Sequence, residues 1–436
     1  MTITAQAPGP TSSGHRAAEP AGLAPRQAAL RLLHGVTVLG RPLEAGFDAV
    51  CAGLTGPDRG LARAITMAAL RWLVDLDAAM DAAMRQPLPR DSRARQVLRL
   101  ALAQAWRLGT PPHAVIATAL PLVEAGPRRL VHGVLSRLLA RPSPLPPVPT
   151  LAPPWASRWA AAHGAAAAQA IAAALAGEPP LDLSLRDGAE TCQWIAALGG
   201  QSLAPGHVRL AAGHGPVEAL PGFVEGAWWV QDLAASLPAR LLAPQPGELV
   251  LDLAAAPGGK TLQLAAAGAA VTAVDISAPR LARLRENLAR TGLDAQLVEA
   301  DLEAWTPPAP ARAILLDAPC SATGIARRHP DVLHLKASRD LAPLLALQAR
   351  LLARAAGWLA PGGRLVFATC SLEPEEGEAQ VSRLLASAPG LALDPVGPEE
   401  LPAGLAPRPE GWVRTLPGDL PGGLDGFFIA RLRRAG

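Results

Sequence analysis

Two rhythms of apolar and polar positions divide this chain. From Pro25 to about Arg141 the apolar residues recur at helical spacing, clearest across Ile65–Met84, with breaks at Pro111-Pro112 and Gly126-Pro127. That pattern predicts a bundle of helices. From about Gln231 the rhythm changes to short apolar runs alternating with helical stretches. Leu249–Leu253, Val271–Ile276, Gln296–Glu299, Ala313–Asp317 and Arg364–Ala368 read as strands. Pro279–Arg290 and Asp340–Leu359 read as helices, the second closed by Pro361-Gly362-Gly363. Apolar strands alternating with helices predict a doubly wound α/β sheet buried on both faces. Between these regions Pro142–Pro149 is proline-rich, a semi-rigid extended linker, and the following stretch is mixed, with a strand at Leu181–Leu185 and a helix at Glu190–Leu198. The expected organisation is a disordered tail at 1–24, a helical domain at 25–141 and a linker at 142–153. A small α+β subdomain follows at 154–230, and a Rossmann-like α/β domain at 231–436.

Composition narrows the picture only a little. A length of 436 residues, half of them hydrophobic, suits two or three domains with real cores and excludes a disordered protein. A net charge of +3 is compatible with a polyanionic partner without requiring one. The basic residues are almost all arginine; lysine occurs only at Lys260 and Lys336. A lysine kept inside a glycine-rich loop suggests that an ammonium is needed there rather than a guanidinium fork. Cys51, Cys192, Cys320 and Cys370 are far apart with no Cys-x-x-Cys pair, which argues against zinc and against a disulfide framework. No basic-then-apolar leader is visible, and no apolar stretch approaches the roughly 20 residues a membrane span needs. A cytoplasmic protein without a metal is therefore expected.

Chemistry concentrates at the predicted strand ends. The strand ending near Asp252 runs into Ala254-Ala255-Ala256-Pro257-Gly258-Gly259-Lys260, where the backbone can approach a ligand at the carboxyl edge of the sheet. Asp275 closes the next strand and can accept hydrogen bonds from ribose hydroxyls; Asp301 follows the third, within reach of an adenine amino group. Neither a phosphate loop nor a Gly-x-Gly-x-x-Gly dinucleotide motif is present, so a nucleoside fits better than a polyphosphate, favouring S-adenosylmethionine. Two further strands end in Asp317-Ala318-Pro319-Cys320-Ser321 and Thr369-Cys370-Ser371. Alone, either cysteine reads as a small buried hydrophobe. At the sheet edge beside a nucleoside loop, the pair reads as reactive thiols instead. Pyrimidine C5 is a poor nucleophile, and thiolate addition at C6 makes it enamine-like; such chemistry needs a nucleophilic Cys, a carboxyl group and a second acid/base. Cys51 and Cys192 read as core residues. Arg327 and Arg328 read as phosphate contacts, and His329 as either a phosphate contact or a loop cap. The helix-borne Arg93, Arg95, Arg99, Arg128 and Arg129 read as solvent-facing charges or as RNA contacts.

These motifs resemble those of the Sun/Fmu family of RNA cytosine-5 methyltransferases. The likeness extends to Val230-Gln231-Asp232, Ala273-Val274-Asp275, Arg327-Arg328-His329-Pro330-Asp331 and Phe427-Phe428, and it spans about the last half of the chain. The helical N-terminal region resembles the NusB-like RNA-binding domain of the family's bacterial 16S ribosomal RNA members. The resemblance implies an S-adenosylmethionine-dependent enzyme forming 5-methylcytosine in 16S ribosomal RNA. It implies Cys370 as nucleophile, Cys320 as the group releasing product, Asp317 between cofactor and base, and Lys260 supporting Asp317. It also implies that 154–230 is a substrate-binding subdomain, that 231–436 is the methyltransferase catalytic domain, and that residues 254–260, Asp275, Asp301 and Asp317 hold the cofactor in a cytoplasmic monomer. Ala254 stands where relatives often carry Cys, and His132 where the helical domain pattern has Asn. A transfer RNA cytosine-5 methyltransferase and a non-catalytic RNA-binding factor with a vestigial methylase fold are the competing readings. Amino-group methylation is disfavoured, because Asp317-Ala318-Pro319-Cys320 stands in place of an Asn/Asp-Pro-Pro-aromatic motif.

Overall fold

A computed structural model describes residues 22–337 and 340–436. The expected tail lies outside the described residues up to position 21. Leu23 and Ala24 already belong to the first helix, Leu23–Thr37, whose Leu30, Leu32 and Leu33 are buried. Helices Gly56–Arg71, Leu73–Ala83, Arg93–Arg107 and Arg128–Leu139 complete the bundle's frame around Ile65, Leu70, Trp72, Leu76 and Leu98, all buried. The arginines on the bundle divide sharply. Arg95 and Arg99 do not face water: their guanidinium groups clamp Asp77 and Asp81 at 2.7 to 3.3 Å, so they tie one helix to the next. Arg128 and Arg129 are exposed.

A hairpin of two helices, Trp155–His163 and Ala165–Ala174, follows the proline-rich segment. Its Trp155, Trp159 and Ile171 pack on Ala326, Leu333, Leu372 and Leu416, all from the C-terminal region. Next come β1 (Leu181–Leu185), β2 (His207–Leu210) and β3 (Trp228–Val230), an antiparallel sheet in the order β2-β1-β3. Cys192, on helix Thr191–Leu198 beside this sheet, is exposed rather than part of a core, because that short helix buries none of its residues. Cys51 is buried, as its apolar surroundings suggested.

The remaining strands are β4 (Leu249–Leu253), β5 (Ala270–Asp275), β6 (Gln296–Glu299), β7 (Ala311–Asp317), β8 (Leu359–Thr369), β9 (Leu391–Leu393), β10 (Val413–Thr415) and β11 (Phe427–Arg434). They form one sheet in the order β10-β11-β8-β7-β4-β5-β6, with β9 also paired to β11. The pairs β8-β7, β7-β4, β4-β5 and β5-β6 are parallel; β11 enters antiparallel. Leu253, Ala273, Ile314, Leu315, Val366 and Phe367 are buried, as strands covered by helices on both faces must be. The Pro361-Gly362-Gly363 signal does not close a helix. The helix Ala342–Gly357 ends earlier, and Pro361-Gly362-Gly363 forms a bulge inside β8, where the register jumps from Leu359 opposite Ala311 to Arg364 opposite Ala313. Among the described residues no helix is long and apolar enough to cross a membrane.

Candidate active site

The parallel strands β4, β5 and β7 share one carboxyl edge with β8, and the sequence motifs end there. After β4 the chain turns sharply at Ala254, in the left-handed region, and again at Gly258 (φ 104) before helix Gly259–Ala266. Gly258 also admits no side chain, since a Cβ would lie 2.1 Å from Leu284 of the next helix. Asp275 ends β5 and braces this turn: its carboxylate accepts the Ala256 N–H at 3.0 Å and the Ser277 N–H at 2.9 Å. A carboxylate has about four acceptor sites, so capacity remains for a ligand's hydroxyls. Ile276 beside it is 67% exposed, an apolar face next to a carboxylate that suits a purine nucleoside. Asp301 is exposed just beyond β6, and its carboxylate caps the turn at Glu303. Asp252 is turned the other way, fully buried, and accepts the Thr261 hydroxyl at 2.6 Å beneath the loop. Burial pushes its carboxyl up to about 7.

The thiol half lies across β7 and β8. Cys320 Sγ and Cys370 Sγ are 3.3 Å apart, both partly exposed. Lys260 Nζ donates to Asp317 Oδ2 at 2.7 Å and sits 5.2 Å from the Phe427 ring centroid. Burial penalises the Lys260 ammonium, but Asp317, with Cys370 and Asp252 behind it, outweighs that cost and holds its pKa above the usual lysine value. The hydrogen bond to Cys370, then burial, then the negative charges of Cys370, Glu376 and Asp317 raise the Cys320 thiol well above its ordinary value. Of the two touching sulfurs, Cys320 is therefore the one that the site keeps protonated.

Side chains that no motif singled out hold these loops. Glu376, fully buried, accepts the Ser321 N–H at 2.8 Å, the Ser371 hydroxyl at 2.9 Å and the Gln348 amide at 2.9 Å. From the hairpin, Trp159 Nε1 donates to Glu373 at 2.9 Å and Arg158 Nε at 2.7 Å, while His163 Nε2 lies 2.7 Å from the Leu372 carbonyl. Gly324 is where three loops converge: its N–H binds the Cys370 carbonyl, and a Cβ there would lie 1.9 Å from the Gly426 carbonyl. The one sequence signal was the acidic Glu373-Pro374-Glu375-Glu376 run right after the second cysteine motif.

Arg327 is not a phosphate contact. It is buried and paired with Asp232 and with Asp425, the latter at 2.7 Å. Arg328 is 2.7 Å from the same Asp232 and only partly exposed. The sequence places these arginines in a polar motif, but folding closes them over two carboxylates of their own chain. Arg328 and His329 nevertheless edge a cleft of about 990 Å³ between the helical bundle, the β1–β3 unit and the loop that follows Cys320. Arg63, Arg71 and Arg107 line its bundle side, facing Glu178 and Glu218. Arg63 is paired with Glu44, whereas among the described residues neither Arg71 nor Arg107 meets a carboxylate within ion-pair distance.

Sheet order and loop chemistry together place the C-terminal region among the Rossmann-like methyltransferases. Comparison with known proteins makes this specific. Residues 239–433 match the family model 16S rRNA methyltransferase RsmB/F, and residues 23–140 match the NusB family. Ribosomal RNA small subunit methyltransferase B of Klebsiella pneumoniae is 35% identical, covering 93% of this chain and 97% of its own. The protein of the same name from Xylella fastidiosa is 37% identical, over 94% and 98%. The crystal structure of PH0851 superposes with a TM-score of 0.72 over 94% of this chain and 99% of its own at 22% identity, a likeness of fold. NSun6 from Pyrococcus horikoshii, solved with SFG, gives 0.56 over 66% and 99% at 20% identity. This chain belongs to the 16S rRNA methyltransferase RsmB/F family, and it is an enzyme of the methyltransferase class.

Proposed function

We propose that this protein methylates C5 of a cytosine in 16S ribosomal RNA through a transient bond between Cys370 and C6. The observation that carries the proposal is the pair of sulfurs 3.3 Å apart at the ends of β7 and β8, beside the Lys260–Asp317 pair. S-adenosylmethionine, when bound, supplies a methyl group on a sulfonium. The turn at 254–259 with Asp275, Ile276 and Asp301 would hold its nucleoside, and Asp317 with Lys260 would face the reacting end.

The chain's own residues account for the rest. Cys370 bears the thiolate, stabilised by the S–H of Cys320 and by the nearby Lys260 ammonium. Its attack at C6 makes C5 electron-rich as a proton passes from Lys260 through Asp317 to N3, and that proton returns by the same route once the C6–sulfur bond has broken. Once Cys370 is a neutral thioether, the first-ranked cause of the high Cys320 pKa and the Cys370 charge both disappear. Cys320 then gives up its proton to solvent and takes the C5 proton as thiolate, and the C6–sulfur bond breaks to return Cys370. The nucleophile's own bond thus arms the base when it is needed. A paired cytosine must be splayed out to reach these sulfurs.

The cleft between the helical bundle and the Arg328-His329 loop offers a path for the RNA backbone, lined by Arg71 and Arg107, which meet no carboxylate among the described residues. Action on ribosomal RNA implies a cytoplasmic enzyme, and the two thiols of one chain suffice for the chemistry, so a monomer is proposed. The test is methyl transfer from labelled S-adenosylmethionine to 16S and transfer RNA in parallel, followed by mapping of 5-methylcytosine. Label at one cytosine of 16S RNA is expected; label only in transfer RNA, or none, contradicts the proposal.

A further inference from the structure

We infer that Glu376 is a positioning residue that fixes the distance between the two thiols, by tying together the residues immediately following each cysteine. The role given to the thiols rests on the functional reading above; the tie itself rests on geometry. Oε2 of Glu376 accepts the backbone N–H of Ser321, and Oε1 accepts the hydroxyl of Ser371. One carboxylate thus spans the β7 and β8 loops, one residue beyond each sulfur.

The second Oε2 partner, Gln348 Nε2, also donates to the Pro319 carbonyl at 2.8 Å. The peptide segment carrying Cys320 is therefore gripped on both sides, at Pro319 by Gln348 and at Ser321 by Glu376. On the other loop the Ser371 hydroxyl stands 3.1 Å from that of Ser321 and accepts the Glu373 N–H. Glu376 is fully buried and its carboxylate has three donors converging on it, while both sulfurs stay partly exposed. The same carboxylate adds negative charge near Cys320 and helps keep that thiol protonated.

The test is Glu376→Gln in the full chain. The amide keeps the side chain's shape but removes the charge, and its NH2 group must face at least one donor. Alkylation of each cysteine by iodoacetamide is followed against pH by peptide mass spectrometry, with exposed Cys192 as internal standard. Cys320 is expected to label with a midpoint at lower pH than in the parent, and kcat for methyl transfer to fall about 100-fold, the scale of a small misplacement of reacting groups, with KM little changed. Should the variant lose its fold, Ser371→Ala removes one arm of the tie and is expected to shift Cys320 labelling in the same direction. Parent-like labelling of both thiols together with parent-like kcat overturns the inference. If the parent shows no RNA methylation, the functional reading fails, while the labelling shift still decides the role of Glu376.

Discussion

The two halves of the sheet's carboxyl edge are built on different plans. At the ends of β4 and β5 the site is made of backbone and small residues: a glycine turn, three alanines, and one carboxylate taking two main-chain N–H groups. At the ends of β7 and β8 it is made of side chains brought from far along the chain, from Trp159 to Glu376. A nucleoside needs a groove of fixed shape, which local backbone supplies. Two reacting thiols need a fixed mutual distance, which no single loop can set, and distant side chains must hold them.

The contrast can be broken or sharpened by substitution. The largest effect is expected from Cys320→Ala, which leaves the nucleophile but removes the group that releases it. Turnover should fall on the order of 10³-fold, within the range for removing a positioned base, and enzyme bound covalently to unmodified RNA should accumulate on denaturing gels. Normal turnover would remove Cys320 from the mechanism. A smaller effect is expected from Trp159→Phe, which deletes a hydrogen bond to buried Glu373 and leaves Arg158 as its partner. Burial raises the Glu373 pKa against these two donors, so losing one should raise it further. The cost should be about 1–3 kcal/mol in urea unfolding, with kcat reduced more than cofactor affinity. An unchanged kcat would show that the hairpin does not support the thiol half.

The nucleoside half offers the mildest test. Asp252 has a folded pKa of about 7, above the usual carboxylate range, so the folded state holds a proton there that the unfolded chain has already lost. Between about pH 4 and 7 this group's contribution to stability therefore declines as pH rises, and above 7 the decline is complete. Asp252→Asn should flatten that segment of the stability–pH curve, read from urea midpoints at fixed ionic strength. An unaltered slope would mean that Asp252 is ionised throughout.

The same contrast explains what could be read from the sequence. The turn at 254–260, Asp275 and both cysteine motifs are contiguous, and their strand–turn–helix context is local, so hydrophobic rhythm and glycine spacing expose them. Glu376 and Gln348 are legible only as ordinary polar residues, because most of the partners that give them meaning lie 28 to 55 positions away. The arginines show the same limit from the other side. Arg327 looks like a phosphate ligand until Asp232 and Asp425, each more than 90 residues away, close over it. Likewise, helix Thr191–Leu198 has an apolar pattern, yet nothing covers Cys192.

The most direct measurement uses RNA bearing 5-fluorocytosine at the methylated position, incubated with enzyme and S-adenosylmethionine. Fluorine replaces the proton that Cys320 would remove, so a stable protein–RNA complex should survive denaturation, with its crosslink mapped to Cys370. A complex absent with active enzyme, or a crosslink mapped elsewhere, would contradict the covalent role assigned to that sulfur.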